Sequence, residues 1–237
     1  MTTEDRTGRS RRHLLAASAP LAPLLIIAAA FTMPPGTDTL SDDKTVNLAL
    51  LATVAAHRDR AAITGVLIMF ALMSFLPFVA GLAAAVRERG AWLATLGAAM
   101  AMAGCFGAGV VNAFWIFNVK AAHPSLAADR DAMARLIGLG HWTGGIYFVL
   151  QMIVFPLGWL LLAYAIGRSR LVPQWQAVLF GISLPVLLAL TDRWAAIGGV
   201  LILVAFLQLA PLVARGGPTV PAGVESTHRT SDLASRS

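Results

Sequence analysis

Few residues in this chain have the chemistry to move a proton or hold a metal. His57 and Asp59 stand in "AAHRDRAA" and His141 in "GLGHWTGG", with His123, Asp42, Asp43, Asp129 and Asp131 in the segments around them. Imidazole and carboxylate together are zinc ligands, and an imidazole titrating near neutrality is a general base, for instance toward a lipid headgroup. The spacing encodes neither: there is no HExxH, no histidine pair at i and i+4, and Cys105 is the single cysteine. No nucleophile elbow and no glycine-rich loop after a strand is present either. No catalytic residue, metal or cofactor is therefore assigned. His57, Asp59 and His141 are kept as a polar cluster at an interface.

The elements that must position these residues are set by composition. With 57% hydrophobic and 13% charged residues and a mean hydropathy of +0.72, the chain has about half the charge of a soluble domain. It must use lipid as a solvent. About 20 apolar residues cross a hydrocarbon core, and six runs qualify: 14–31, 61–86, 91–119, 142–166, 175–191 and 194–214. The expected fold is all-α, a multi-pass transmembrane bundle of six spans (14–214). A basic cytoplasmic tail (1–13) precedes it and a polar, disordered cytoplasmic tail rich in Gly, Pro, Ser and Thr (215–237) follows.

Charge orients the bundle. With both termini inside a cell membrane, eleven of the 18 Lys and Arg fall on the cytoplasmic side and seven on the other, as the positive-inside rule asks. The excess of +6 then belongs to the inner face, where anionic lipid is its partner, and nucleic acid is not required. Trp92, Trp115, Trp142, Trp175 and Trp194 fall near span ends, at headgroup level. "SRRHLLAASAPLAPLLIIAAAF" (10–31) resembles a twin-arginine signal and is read as an uncleaved anchor, kinked at Pro20 and Pro23.

Two outer segments read as short amphipathic helices on the outer face. Residues 42–56 follow a cap at Ser41, and a second helix follows a cap at Ser125, with Asp129 and Asp131 early. Each leads through a histidine into a span carrying an internal proline, so a parallel repeat over about 42–119 and 125–191 is expected, with His57 facing His141. "HRDR" reads as a boundary. Placing Arg58, Asp59 and Arg60 mid-membrane would cost on the order of 9 kcal/mol, and Asp59 screens the two arginines.

The six runs contain no Asp, Glu, Lys, Arg or His, which argues against ion-coupled transport through the core. Asn112 and Gln151 read as polar residues joining helices. Gly97, Ala101, Gly104 and Ala108 read as a face for close helix packing.

The stretch "GGIYFVLQMIVFPLGWLLLAYAIGRSRLVPQWQAVLFGIS" (144–183) combines a Pro-Leu-Gly-Trp helix, a basic turn and a second helix entered through Trp. In this it resembles a large family of uncharacterised six-pass bacterial inner-membrane proteins. The resemblance implies the architecture and carries no activity. The expected function is a non-enzymatic accessory or ligand-sensing membrane component, whose partners are the bilayer and a membrane protein or a second copy. Two alternatives stand beside it. One is a small permease for a neutral or hydrophobic solute, using space opened by Pro77, Pro156 and Pro185; the other is an enzyme acting at the outer interface through His57 or His141.

Overall fold

The computed structural model describes residues 10, 13–35, 44–86, 90–190 and 192–215, with the side chains of 139–144, Thr191 and Asp192 excepted. The caps expected at Ser41, Asp42 and Asp43, and both tails but for Ser10 and His13, lie outside the described residues. The fold is all-helical, with no strand among the described residues. Residues 13–17 are helical and a turn at 18–20 leads to α1 (Leu21–Thr32); α2 (Lys44–Ala56), α3 (Arg58–Ala85) and α4 (Ala91–Ala121) follow. A 3₁₀ segment (Pro124–Asp129) leads to α5 (Arg130–Val149). A π turn (Leu150–Val154) joins that helix to α6 (Phe155–Ser169), and α7 (Gln174–Ala189) and α8 (Ala195–Arg215) complete the chain.

Among the described residues, five helices are long and apolar enough to cross a membrane: His13–Thr32, Arg58–Ala85, Ala91–Ala121, Gly145–Ser169 and Ala195–Arg215. The run expected at 175–191 is α7, whose 16 residues rise about 24 Å, short of a hydrocarbon core of about 30 Å. Its helix ends early because Leu190 turns to extended backbone.

Six helices nevertheless close a ring. In chain order α1, α3, α4, α6, α7 and α8 each pack on the next, and α8 returns to α1. Neighbours run antiparallel. Gly97 meets Leu162 while Gly104 meets Phe155, and Gly167 meets Ala177 while Gly181 meets Ala163. Lipid gives apolar helices no solvent-driven reason to associate, so close van der Waals approach must do it. A Cβ at Gly97 would lie 2.6 Å from the Leu162 nitrogen, one at Gly158 would lie 2.5 Å from the Ala101 nitrogen, and one at Gly104 would overlap Phe155. The face of small residues on α4 is thus in backbone contact with α6.

The middle of the ring is filled by aromatics from four helices. Trp159 stacks on Phe180 at 4.3 Å between centroids and on Phe206 at 5.8 Å, while Phe75 stands edge-on to Trp159 at 5.8 Å. All four are buried. Near Pro185, the Phe180 carbonyl accepts from Trp159 Nε1 (2.6 Å) and from Ser183 Oγ (2.7 Å). Pro156 follows the π turn, the local adjustment by which a helix accommodates a missing N–H.

Two expectations about the outer segments change. The second amphipathic helix is not a separate element, because α5 runs through the π turn into α6 as one rod. The parallel repeat is matched within its halves, where α3 packs on α4 and α6 on α7, but not between them: α4 packs on α6, whereas α7 packs on α8 rather than on α3. The short apolar helices of a membrane bundle share composition without sharing symmetry.

Candidate functional site

The end of the ring where α1 stops and α3 starts gathers the polar side chains. The cause is spacing on α4: Asn112 and Trp115, three residues apart, both reach α3. Asn112 Nδ2 donates to the Gly65 carbonyl at 2.8 Å, and Trp115 Nε1 donates to the Ala61 carbonyl at 3.0 Å. Asn118, 2% exposed, has a buried Nδ2 with no acceptor among the described residues.

His57 breaks the chain between α2 and α3 (φ −125°, ψ 33°) and sits at the N-cap without a side-chain hydrogen bond to the first turn. Arg60 turns the other way and caps α1, its Nη2 reaching the Phe31 carbonyl at 3.2 Å and that of Met33 at 3.5 Å. A cation at a helix C-terminus satisfies orphan carbonyls and complements the dipole. Thr32 and Thr64 join the same two helices through their hydroxyls at 2.9 Å. Arg58 is half-buried and its Nε, also buried, lacks an acceptor among the described residues. Asp59 does not screen the arginines. It is exposed in the first turn of α3, and among the described residues the sole ion pair joins Lys44 to Asp131.

That ion pair belongs to a lid over this end. α2 and α5 lie side by side and parallel, since Asn47 Nδ2 donates to the Ala134 carbonyl at 3.3 Å one turn beyond Lys44 and Asp131. Beneath them Leu50, Leu51, Val54, Ala61, Val119, Ala122, Ala134 and Ile137 form a second, smaller core. The hydrogen bond from Lys44, with desolvation opposing it, holds the Asp131 carboxyl below the usual carboxylate range. His123, rather than Ser125, supplies the cap of the 3₁₀ segment: its Nδ1 accepts from the Ser125 N–H at 3.2 Å and lies 2.8 Å from the Ser125 hydroxyl.

Of the site expected from sequence, His57 and Asp59 are adjacent at the start of α3, and the His141 side chain lies outside the described residues. No group of three His, Cys, Asp or Glu that could hold a metal occurs among the described residues. Asn112 bonds across helices as described; Gln151, in the π turn, makes no such bond among the described residues, and its buried Oε1 has no donor. The buried donors of Asn118 and Arg58 were not singled out by sequence; the i, i+3 spacing of Asn112 and Trp115 was there to find the pair that reaches α3.

A groove of about 320 Å³ lies between α3 and α4, lined by Met69, Leu72, Met73, Met102, Cys105 and Phe106 among others. Met73 and Phe106 are more than half exposed, so it opens outward to lipid and away from the middle of the ring.

No family model, no curated protein and no solved structure matches this chain. The likeness of residues 144–183 to six-pass bacterial proteins therefore has no family match beside it, and function must be argued from the geometry.

Proposed function

We propose that this chain is a non-enzymatic integral membrane component, an accessory or ligand-sensing protein whose outer end meets its ligand or partner. The observation that carries this reading is the middle of the ring, where Phe75, Trp159, Phe180 and Phe206 pack against one another with no charged side chain among them. A permease needs a path through that position, and the groove between α3 and α4 does not lead there. An outer-face enzyme needs a constellation around His57, and His57 has no polar side-chain partner among the described residues.

We further propose six crossings of a cell membrane with both termini cytoplasmic and the α2–α5 lid outside. The alternation of six antiparallel helices supports it, with α7 held between α6 and α8. The distribution of Lys and Arg supports the orientation. A C-terminal fusion to a reporter active only outside the cytoplasm is expected to stay silent; its activity would contradict the even number of crossings.

The functional reading is tested with proteoliposomes and a deletion strain. Uptake of a broad panel of neutral and hydrophobic solutes is expected to be the same with and without the protein, and chains carrying His57→Ala or His141→Ala are expected to complement. Protein-dependent uptake of one solute would replace the reading with the permease. Loss of complementation by a stably inserted His57→Ala chain would favour the enzyme.

A further inference from the structure

The groove between α3 and α4 goes beyond the proposed function and does not rest on it. It exists because α4 is held elsewhere. On one side Gly97, Gly104 and Gly107 bring the α4 backbone against α6 and the π turn. On the other side α4 meets α3 where Asn112 and Trp115 bond to the Gly65 and Ala61 carbonyls, and where Gly65 lies against Trp115 and Ile116. At the groove itself α4 presents Cys105, Gly109 and Ala113, whose side chains are too short to fill the space between the helices. A Cβ on Gly109 would meet nothing within 4 Å. Met69, Met73 and Met102 stand around this bare stretch of backbone, and unbranched methionine side chains adapt to an irregular apolar occupant.

Chemistry, depth and size select the occupant. The only polar side chain in the lining is the Cys105 thiol, a weak donor, so a polar ligand would leave its own groups unpaired there. Residues 69–76 lie in the middle of the span Arg58–Ala85, about halfway through a hydrocarbon core of about 30 Å. No headgroup reaches that depth. The volume of about 320 Å³ is roughly twice that of an apolar cavity that holds benzene, whereas a helix about 10 Å across does not enter it. The groove is also continuous with the surface that these two spans turn to lipid, since Phe70, Met73, Met102 and Phe106 are exposed. Unfilled apolar space forfeits the dispersion contacts of its lining, and what arrives from that side is a hydrocarbon tail. We propose that the groove between α3 and α4 binds one acyl chain of a bilayer phospholipid, held by Met69, Met73, Met102 and the bare backbone at Gly109. The headgroup lies outside the site and is not selected.

The full-length protein in liposomes tests this with a phosphatidylcholine that carries a photoreactive diazirine at the end of one long acyl chain, the labelled peptides being identified by mass spectrometry. The α8 face at Val204 and Leu207, exposed in the middle of its span, reports contact with bulk lipid. Labelling of residues 102–113 is expected to exceed that of 200–207 several-fold and to saturate as the probe fraction rises, while labelling of 200–207 rises in proportion. A phosphatidylglycerol with the same chain should label the groove equally. Gly109→Leu, whose side chain starts in open space, should fill the groove and bring 102–113 down to the level of the α8 face without lowering the unfolding temperature in detergent. Equal labelling of the two faces in wild type, excess labelling that Gly109→Leu leaves intact, or a strong preference for one headgroup would overturn the proposal. A wild-type dimer that Gly109→Leu dissociates would give the groove to a second copy and overturn it too. Should Gly109→Leu fail to insert, Ala113→Leu decides the matter in the same assay, because it enters the same groove from an exposed position.

Discussion

The contact of α4 with α6 and the contact of α4 with α3 use the same helix in opposite ways. Toward α6, glycines bring backbone against backbone until a single methyl has no room. Toward α3 the helix presents polar side chains: Asn112, bonded and buried, and Trp115, bonded and half-buried. The first contact is made of sterics, which membrane helices use in place of the hydrophobic effect, and has one geometry. The second is made of hydrogen bonds and ends at a helix break.

The sharpest way to break this contrast is to fill the glycine face. Gly104→Ala forces a methyl into Phe155 and is expected to destabilise by about 3 kcal/mol, read by unfolding in mixed detergent micelles; a neutral result would mean that α4 and α6 stand further apart. Next is Trp159→Phe, which removes the donor to the Phe180 carbonyl and part of the aromatic stack, at about 2 kcal/mol. On the other face Asn112→Leu should cost only about 1 kcal/mol in the same assay, leaving the α4–α6 contact intact. A larger cost for Asn112 than for Gly104 would invert the comparison.

The smallest effect belongs to the lid. The Asp131 carboxyl is held low by Lys44, so the stability it adds is present above the pKa of the unfolded chain and is lost as pH falls through the lower folded value. Both groups are largely exposed, and such pairs contribute little. Asp131→Asn should therefore flatten the acid limb of the unfolding profile with almost no change at neutral pH.

What the sequence made legible follows from the periods that physics imposes. The need for about 20 apolar residues to cross lipid located five of the long helices, and the i, i+3, i+4 recurrence of Gly97, Ala101, Gly104 and Ala108 located the face that meets α6. At "HRDR" the structure shows a helix boundary, with His57 breaking the chain between α2 and α3. Less local facts were not legible. That Arg60 would cap α1 while Asp59 stayed unpaired depends on where α1 ends in space, and that α5 would run on through a π turn depends on Pro156 being accommodated rather than stopping the helix. Trp159 was not singled out by sequence, although it differs from the other five tryptophans by lying mid-span, a signal that could have marked it for the interior. The repeat was misread because apolar helices of similar composition invite pairing, whereas the packing partners are chosen by small residues.

The central claim, that the ring is closed by its aromatics, is tested most directly by water access. In a Cys105→Ala background, Ser183→Cys places a nearly isosteric thiol beside the Phe180 carbonyl, where Ser183 is fully buried. A charged, membrane-impermeant thiol reagent added to either face of oriented vesicles is expected to leave it unmodified, while Ala127→Cys in the exposed 3₁₀ segment is labelled from outside. Modification of Ser183→Cys at a rate near that of Ala127→Cys would mean that water reaches the middle of the ring, and would contradict the account.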